Sequence, residues 1–311
     1  MTTVETTAPV DFRFPPIAAM QQDRIARIRA LAPAGTQPGP NACPGLDVPL
    51  DYATAHHYLE GAETAALAKD IDLFDWYQAN PDAGTGRLCA STALGPCAVI
   101  TPAALITSPI SDTPYYLLGP FTDPAPAPDR ALARAAYKTA ADTGFADLVT
   151  HHARILVLLG RKQYHDRFDS WTISRLPGTV FLDHIDDPAA LARDLIHEAG
   201  HNWLNDALAA TSTLLPDDAH FPSPWKNTHR PAYGFLHACW AFPLTMIYTA
   251  RILDHGDQLT PPGRDFLTRY LDLQRRFLAP TADTHPQALT LIPDPELRER
   301  LRRIHAHALA L

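Results

Sequence analysis

Apolar positions recur at helical spacing through much of the chain. In AAMQQDRIARIRAL (18–31), Ile25, Ile28 and Leu31 share one face and predict a helix. DYATAHHYLEGAETAALAKDIDLFDWYQ (51–78) reads as one or two helices, and DRALARAAYKTAADTG (129–144) as one that stops at Gly144. ADLVTHHARILVLLGRK (146–162) is also predicted as a helix, with Leu148, Ile155, Leu156 and Leu159 in its apolar set. Two stretches break the period. AVITPAALIT (98–107) reads as a strand, and SWTISRLPGTVFLDH (170–184) as two short strands about a Pro177-Gly178 turn. Asp187 then caps a helix that has Pro188 at its first position and runs to about Ala210. A loop follows, then an uncharged helix at 232–252 and two further helices near 262–278 and 294–309. The expected fold is mainly α with a small β-sheet (α+β), in which the 188–210 helix lies beside a short edge strand.

Composition narrows the function classes. With 46% hydrophobic and 19% charged residues, the 311-residue chain is globular. Its net charge of -8 contains no basic run, so neither nucleic acid nor an anionic membrane is an expected partner. The first residues carry no apolar run of the secretory type. Residues 231–250 hold no Asp, Glu, Lys or Arg, but His237, Pro243 and two tyrosines make a buried helix the better reading than a membrane span. Cys43, Cys89, Cys97 and Cys239 form no C-x-x-C pair and are too few for a disulfide framework, so a reduced cytoplasm is the expected compartment. The oligomeric state is not legible.

The chemistry concentrates in DLIHEAGHNWLND (194–206), where His197, Glu198 and His201 read H-E-x-x-H. Residues four apart on a helix share a face, so His197 and His201 can point at one ion. Asp194 and Asn205 lie on the same stripe and are candidates to orient the rings. Glu198 sits about 100° round the helix, where zinc peptidases keep a general base. Leu195, Ile196, Ala199 and Trp203 form the packing face. The N-terminal stretch, 1–125, then reads as a loop-rich region packed on a metal-binding catalytic region, 126–311, the two making one compact unit.

Two histidines do not complete a catalytic site, whether for zinc or for non-haem iron. The extended motif that adds a third His would need Gly at 204 and His at 207, where this chain has Leu204 and Ala207. No Glu occurs between 207 and 280. The available donors are Asp206, Asp217, Asp218, His220, His229, His237, Asp254, His255, Asp257, Asp265 and Asp272. His237 stands out, because a neutral imidazole among Phe235, Leu236, Ala238 and Cys239 needs a partner.

LIHEAGHNWLNDAL followed by SPWKNTHRPAYGFLHACWAF resembles the H-E-x-x-H peptide-modifying proteins of ribosomal peptide biosynthesis. These are α-ketoglutarate-dependent peptide β-hydroxylases. The likeness spans about 170–250 and rests on the motif helix, on Trp225, Lys226, Arg230 and Pro231, and on Leu236 to Phe242. Cys239-Trp240 stands where the family favours Val-Tyr, and Lys226 where Arg is commoner. The resemblance implies iron(II), α-ketoglutarate and O₂, with a precursor peptide as substrate. It implies decarboxylation to succinate and an Fe(IV)-oxo that attacks a side-chain β-carbon, on a fold other than the double-stranded β-helix of most keto-acid oxygenases. His197, His201 and His237 are then the expected metal ligands, with Glu198 beside them. Arg230 is the expected anchor for the distal carboxylate, Lys226 an alternative, and Trp225 and Trp240 candidate pocket walls. By analogy the peptide pairs along an edge strand at Thr179 to Leu182. Two other readings are a zinc metallopeptidase with Glu198 as general base, and a binding protein with a degenerate site.

Overall fold

In the computed structural model, residues 10–33, 47–92, 94–108, 111–254 and 259–311 are described. Helix α1 (Pro15–Arg29) opens the chain with proline in its first turn, where the missing N–H costs nothing. Asp47 caps α2 (Val48–Ala68) and Asp70 caps α3 (Ile71–Ala79), each accepting a backbone N–H. Four short strands follow: β1 (Cys89–Thr92), β2 (Gly95–Ile100), β3 (Ile106–Ser108) and β4 (Ser111–Tyr115). After α4 (Ala127–Asp142) and α5 (Ala146–His152) come β5 (Ile155–Arg161), β6 (Ser170–Trp171) and β7 (Thr179–His184). The motif helix α6 (Pro188–Ala210) is next, then a hairpin of β8 (His220–Ser223) and β9 (Thr228–Pro231), and then α7 (Ala232–Asp254). Helices α8 (Pro261–Leu278), α9 (Thr284–Leu289) and α10 (Pro295–Leu309) complete the chain. The fold is mainly α with small sheets, and the described strands close no barrel.

One stretch departs from the helical expectation. Residues 146–162 split into α5 and the strand β5, because β5 is buried on both faces. Leu156 and Leu158 join the cluster built by α4 to α7, while Ile155 and Val157 meet Leu50 and Ala53 of α2. A strand covered on both sides reads as a continuous apolar run, which hides its two-residue period. The five-stranded sheet has the order β1-β2-β5-β7-β6, with β2, β5 and β7 parallel. Strands from either side of residue 125 therefore build one sheet. Thr179 to Leu182 are not an edge: β5 pairs along this stretch on one side, and β6 pairs with Phe181 and Leu182 on the other. On this side of the sheet the edge strand is β6; on the other it is β1.

Asp187 caps α6 as expected, accepting from the N–H groups of Ala189 (2.8 Å) and Ala190 (3.1 Å). The packing face of α6 meets α7 closely because Gly200 lies at the crossing. A Cβ there would stand 2.9 Å from Leu244 Cδ1. Trp240 donates Nε1–H to the Gly200 carbonyl at 3.0 Å and stacks on Trp203, so it is core and does not wall a pocket. Among the described residues no helix is long and apolar enough to cross a membrane. Cys97 and Cys239 are free and buried. Cys89 is disulfide-bonded, against the expectation of reduced thiols, although a single bridge is still no framework.

Candidate metal centre

A cleft of about 600 Å³ opens between β6, α6, α7, α8 and the β8–β9 hairpin. It is lined by His197, Glu198, His201, Trp225, Lys226, Arg230 and His237, so residues spread over some forty positions of sequence converge on one space. His220 and His229 sit exposed on the hairpin, Asp217 and Asp218 are exposed before it, and none of these lines the cleft. Asp254 is exposed, Asp265 and Asp272 pair with Arg269 and Arg275, and Asp206 is buried in a separate network with Gln21 and Tyr52. His255 and Asp257 lie outside the described residues.

The two motif histidines present Nε2 atoms 3.1 Å apart. Two nitrogens each about 2 Å from one ion stand at this separation. The donors of His197, Glu198 and His201 all lie within 4.8 Å of one another. His237 comes from α7 to meet His201 on its other side, Nδ1 to Nδ1 at 2.9 Å. The Nε2 of His237 is buried without a hydrogen-bond partner, and so is Oε2 of Glu198. Unpaired buried donors and acceptors are costly; Glu198 belongs to the group of donors that could share one cation with His197 and His201, and His237 lies outside that group. All three rings are held neutral, the form a metal needs: burial lowers His201 to about 4, with Arg230 adding to it. Burial also pushes His197 and His237 well down, with His201 adding to both shifts. For Glu198 burial acts the other way and raises the carboxyl to about 8, partly offset by the Ser170 hydroxyl, which donates to Oε1 at 2.7 Å.

Asp194 does not orient a ligand ring. It takes a bidentate contact from Arg193 at 2.6 and 2.7 Å, and that guanidinium lies over Phe266 and Tyr270. Asn205 accepts from the Tyr233 hydroxyl, and the Tyr233 ring packs on His237 with centroids 4.2 Å apart. Trp225 does wall the cleft: it stacks on Phe242 at 4.9 Å and donates Nε1–H to Gln274 at 2.8 Å.

Arg230 lies on β9, opposite Phe221 in the hairpin register. Its guanidinium rests on the bare Cα of Gly234, where a Cβ would stand 2.8 Å from Nη2. Among the described residues it has no carboxylate partner, yet it is close enough to lower both His201 and His237. The result is a planar cation without a carboxylate partner among the described residues, beside a cluster of neutral histidines, an arrangement that suits a carboxylate ligand.

Several cleft residues escaped the sequence reading. Tyr233 and Gly234 had a usable signal, since Tyr233 is one helical turn before His237 and Gly234 follows Arg230 by four positions. Ser170 on β6, and Gln274 and Phe277 on α8, arrive by tertiary packing and had none. No protein-family model matches the chain, and no curated protein matches it.

Proposed function

We propose that this protein is a non-haem iron, α-ketoglutarate-dependent oxygenase that hydroxylates a side chain of a ribosomally made peptide. The observation that carries the reading is Arg230: a guanidinium with no carboxylate partner among the described residues, in the same cleft as His197, His201 and His237. A keto-acid cosubstrate that chelates a metal needs a basic anchor for its distal carboxylate in the same cleft.

In this reading His197, His201 and His237 would hold the ion. Iron(II) with α-ketoglutarate supplies the activation of O₂ needed to hydroxylate an unactivated carbon. Arg230 binds the distal carboxylate of the keto acid and fixes its orientation. Trp225 and Phe242 shield one side of the cleft from water. Glu198, hydrogen-bonded to Ser170, holds a proton beside the histidines at neutral pH.

A zinc hydrolase is the second reading, favoured by the unpartnered Oε2 of Glu198, the atom a general base would use. The test is anaerobic addition of Fe(II) and α-ketoglutarate. A visible charge-transfer band, followed by succinate on admitting O₂, is expected. Zinc-dependent peptide cleavage without band or succinate would replace this reading with the second, and Glu198→Gln should then abolish the cleavage.

A further inference from the structure

The cleft has more cationic capacity than a keto acid uses. Among the described residues, Arg230 and Lys226 are its only Arg or Lys lining residues, and Glu198 its only carboxylic acid. Neither cation has an ion-pair partner among the described residues, although Arg161, Lys162, Arg175 and Arg193 around the same sheet are all paired. In a chain of net charge -8 this is a locally positive concavity, which draws in anions.

The two cations sit at different depths. Arg230 is partly buried against Gly234, while Lys226 is exposed in the turn of the β8–β9 hairpin. That turn is fastened in place: Lys226 N–H donates to Ser223 O at 3.2 Å, and the neighbouring Trp225 is held by Phe242 and Gln274. The backbone of Lys226 is thus fixed, and its exposed side chain lines the cleft next to Trp225 in sequence. A cleft of about 600 Å³ is within the range that takes a drug-sized ligand, so room remains beyond a five-carbon diacid.

We propose that Lys226 is a second anion-recognition position, separate from Arg230, that selects peptides carrying a carboxylate next to an aromatic or aliphatic residue. The carboxylate is an Asp or Glu side chain or the free chain end. The inference rests on the peptide reading given above and adds the charge class of the substrate.

The test is calorimetric titration of the full-length protein, saturated with α-ketoglutarate, with acetyl-Phe-Asp-amide, acetyl-Phe-Asn-amide and acetyl-Phe-Asn with a free C-terminus. At least one carboxylate peptide is expected to bind about fivefold tighter than the uncharged one, the scale of an exposed ion pair. The arm that shows the preference identifies its source. The preference should fall with added salt and vanish in Lys226→Gln, whose α-ketoglutarate affinity stays within twofold of wild type. Equal affinities, a preference that survives Lys226→Gln, or no binding by any of the three peptides would overturn the proposal. Loss of α-ketoglutarate binding itself in Lys226→Gln would also overturn it, by making Lys226 part of the keto-acid anchor. Absence of the iron charge-transfer band would count against the oxygenase reading and leave these peptide comparisons readable.

Discussion

Gly234→Ala separates the role of Arg230 from the stability of the fold. The added Cβ would lie 2.8, 2.9 and 3.1 Å from Nη2, Cζ and Nε of Arg230. Ordinary contact begins near 3.4 Å, so the guanidinium must withdraw by roughly half an ångström or more. The obstruction is the end of a flexible side chain, so the side chain moves and the helix stays. Alanine in place of glycine favours a helix by about 0.5–1 kcal/mol, so the melting temperature should hold or rise. Productive geometry tolerates about 0.5 Å, and a charge-assisted hydrogen-bonding contact is worth about 1.5–3 kcal/mol. Weakening of α-ketoglutarate binding by about tenfold to a hundredfold follows. Anaerobic calorimetry of α-ketoglutarate into the Fe(II)-loaded variant, paired with a thermal melt, measures both effects. An unchanged Kd would refute the assignment of Arg230 as the anchor, and a large drop in melting temperature would refute the claim that only the side chain moves.

Other expectations are independent of that one. Gly200→Val should overpack the α6–α7 crossing and destabilise by about 1–3 kcal/mol in denaturant titrations; it should also weaken metal binding by parting His237 from His201, and wild-type affinity would contradict the close-approach argument. Fe(II) or Zn(II) at a hundred times Kd should stabilise the wild type by about 2.7 kcal/mol, and His201→Ala should abolish the shift in melting temperature. His237→Ala is expected to reduce metal affinity more than Glu198→Gln does; the reverse order would make Glu198 the third ligand. His57, buried between the Thr179 hydroxyl and the Leu118 N–H, is held at about 3 by burial, and His285 is likewise held at about 3. Both lie below the unfolded value, so their stabilisation is intact above pH 6.5 and is lost as pH falls towards the folded values, at about 1.4 kcal/mol per unit for each. Melting temperatures should therefore drop from pH 6.5 to 4, less steeply in His57→Gln, and a flat profile would exclude the mechanism.

The motif helix was legible because its information is local: Asp187 and Pro188 mark its start, and His197 and His201 recur at one helical turn. His237 stood out locally as a polar ring in an apolar helix, whereas Arg230 was named only through the resemblance; both line the cleft. What failed was whatever depends on neighbours far along the chain. Ile155 to Leu158 alternate between two different layers, so a strand looked like a helix. Asp194 shares a stripe with His197 but is claimed by Arg193, the residue beside it. Trp240 was expected to wall the pocket and is instead consumed by packing on Trp203. The edge strand was misplaced because β5, which pairs along Thr179 to Leu182, had been read as helix, leaving that stretch without its main neighbour.

The parallel pairing of Ala98 with Ile155, and of Ile155 with Thr179, also constrains how the chain is made. On the ribosome, β2 emerges with apolar side chains on both faces and no parallel partner, and must wait for α4 and α5 to be synthesised before β5 arrives. Long-range parallel pairing is slow, and an unpaired strand edge invites association with other chains. Expression at lower temperature, or with chaperones that shield nascent strands, should therefore raise soluble yield. A fragment starting after residue 125 would leave β5 with an open edge and should aggregate, so the cleft residues, all supplied by 170–277, cannot be excised as a minimal unit.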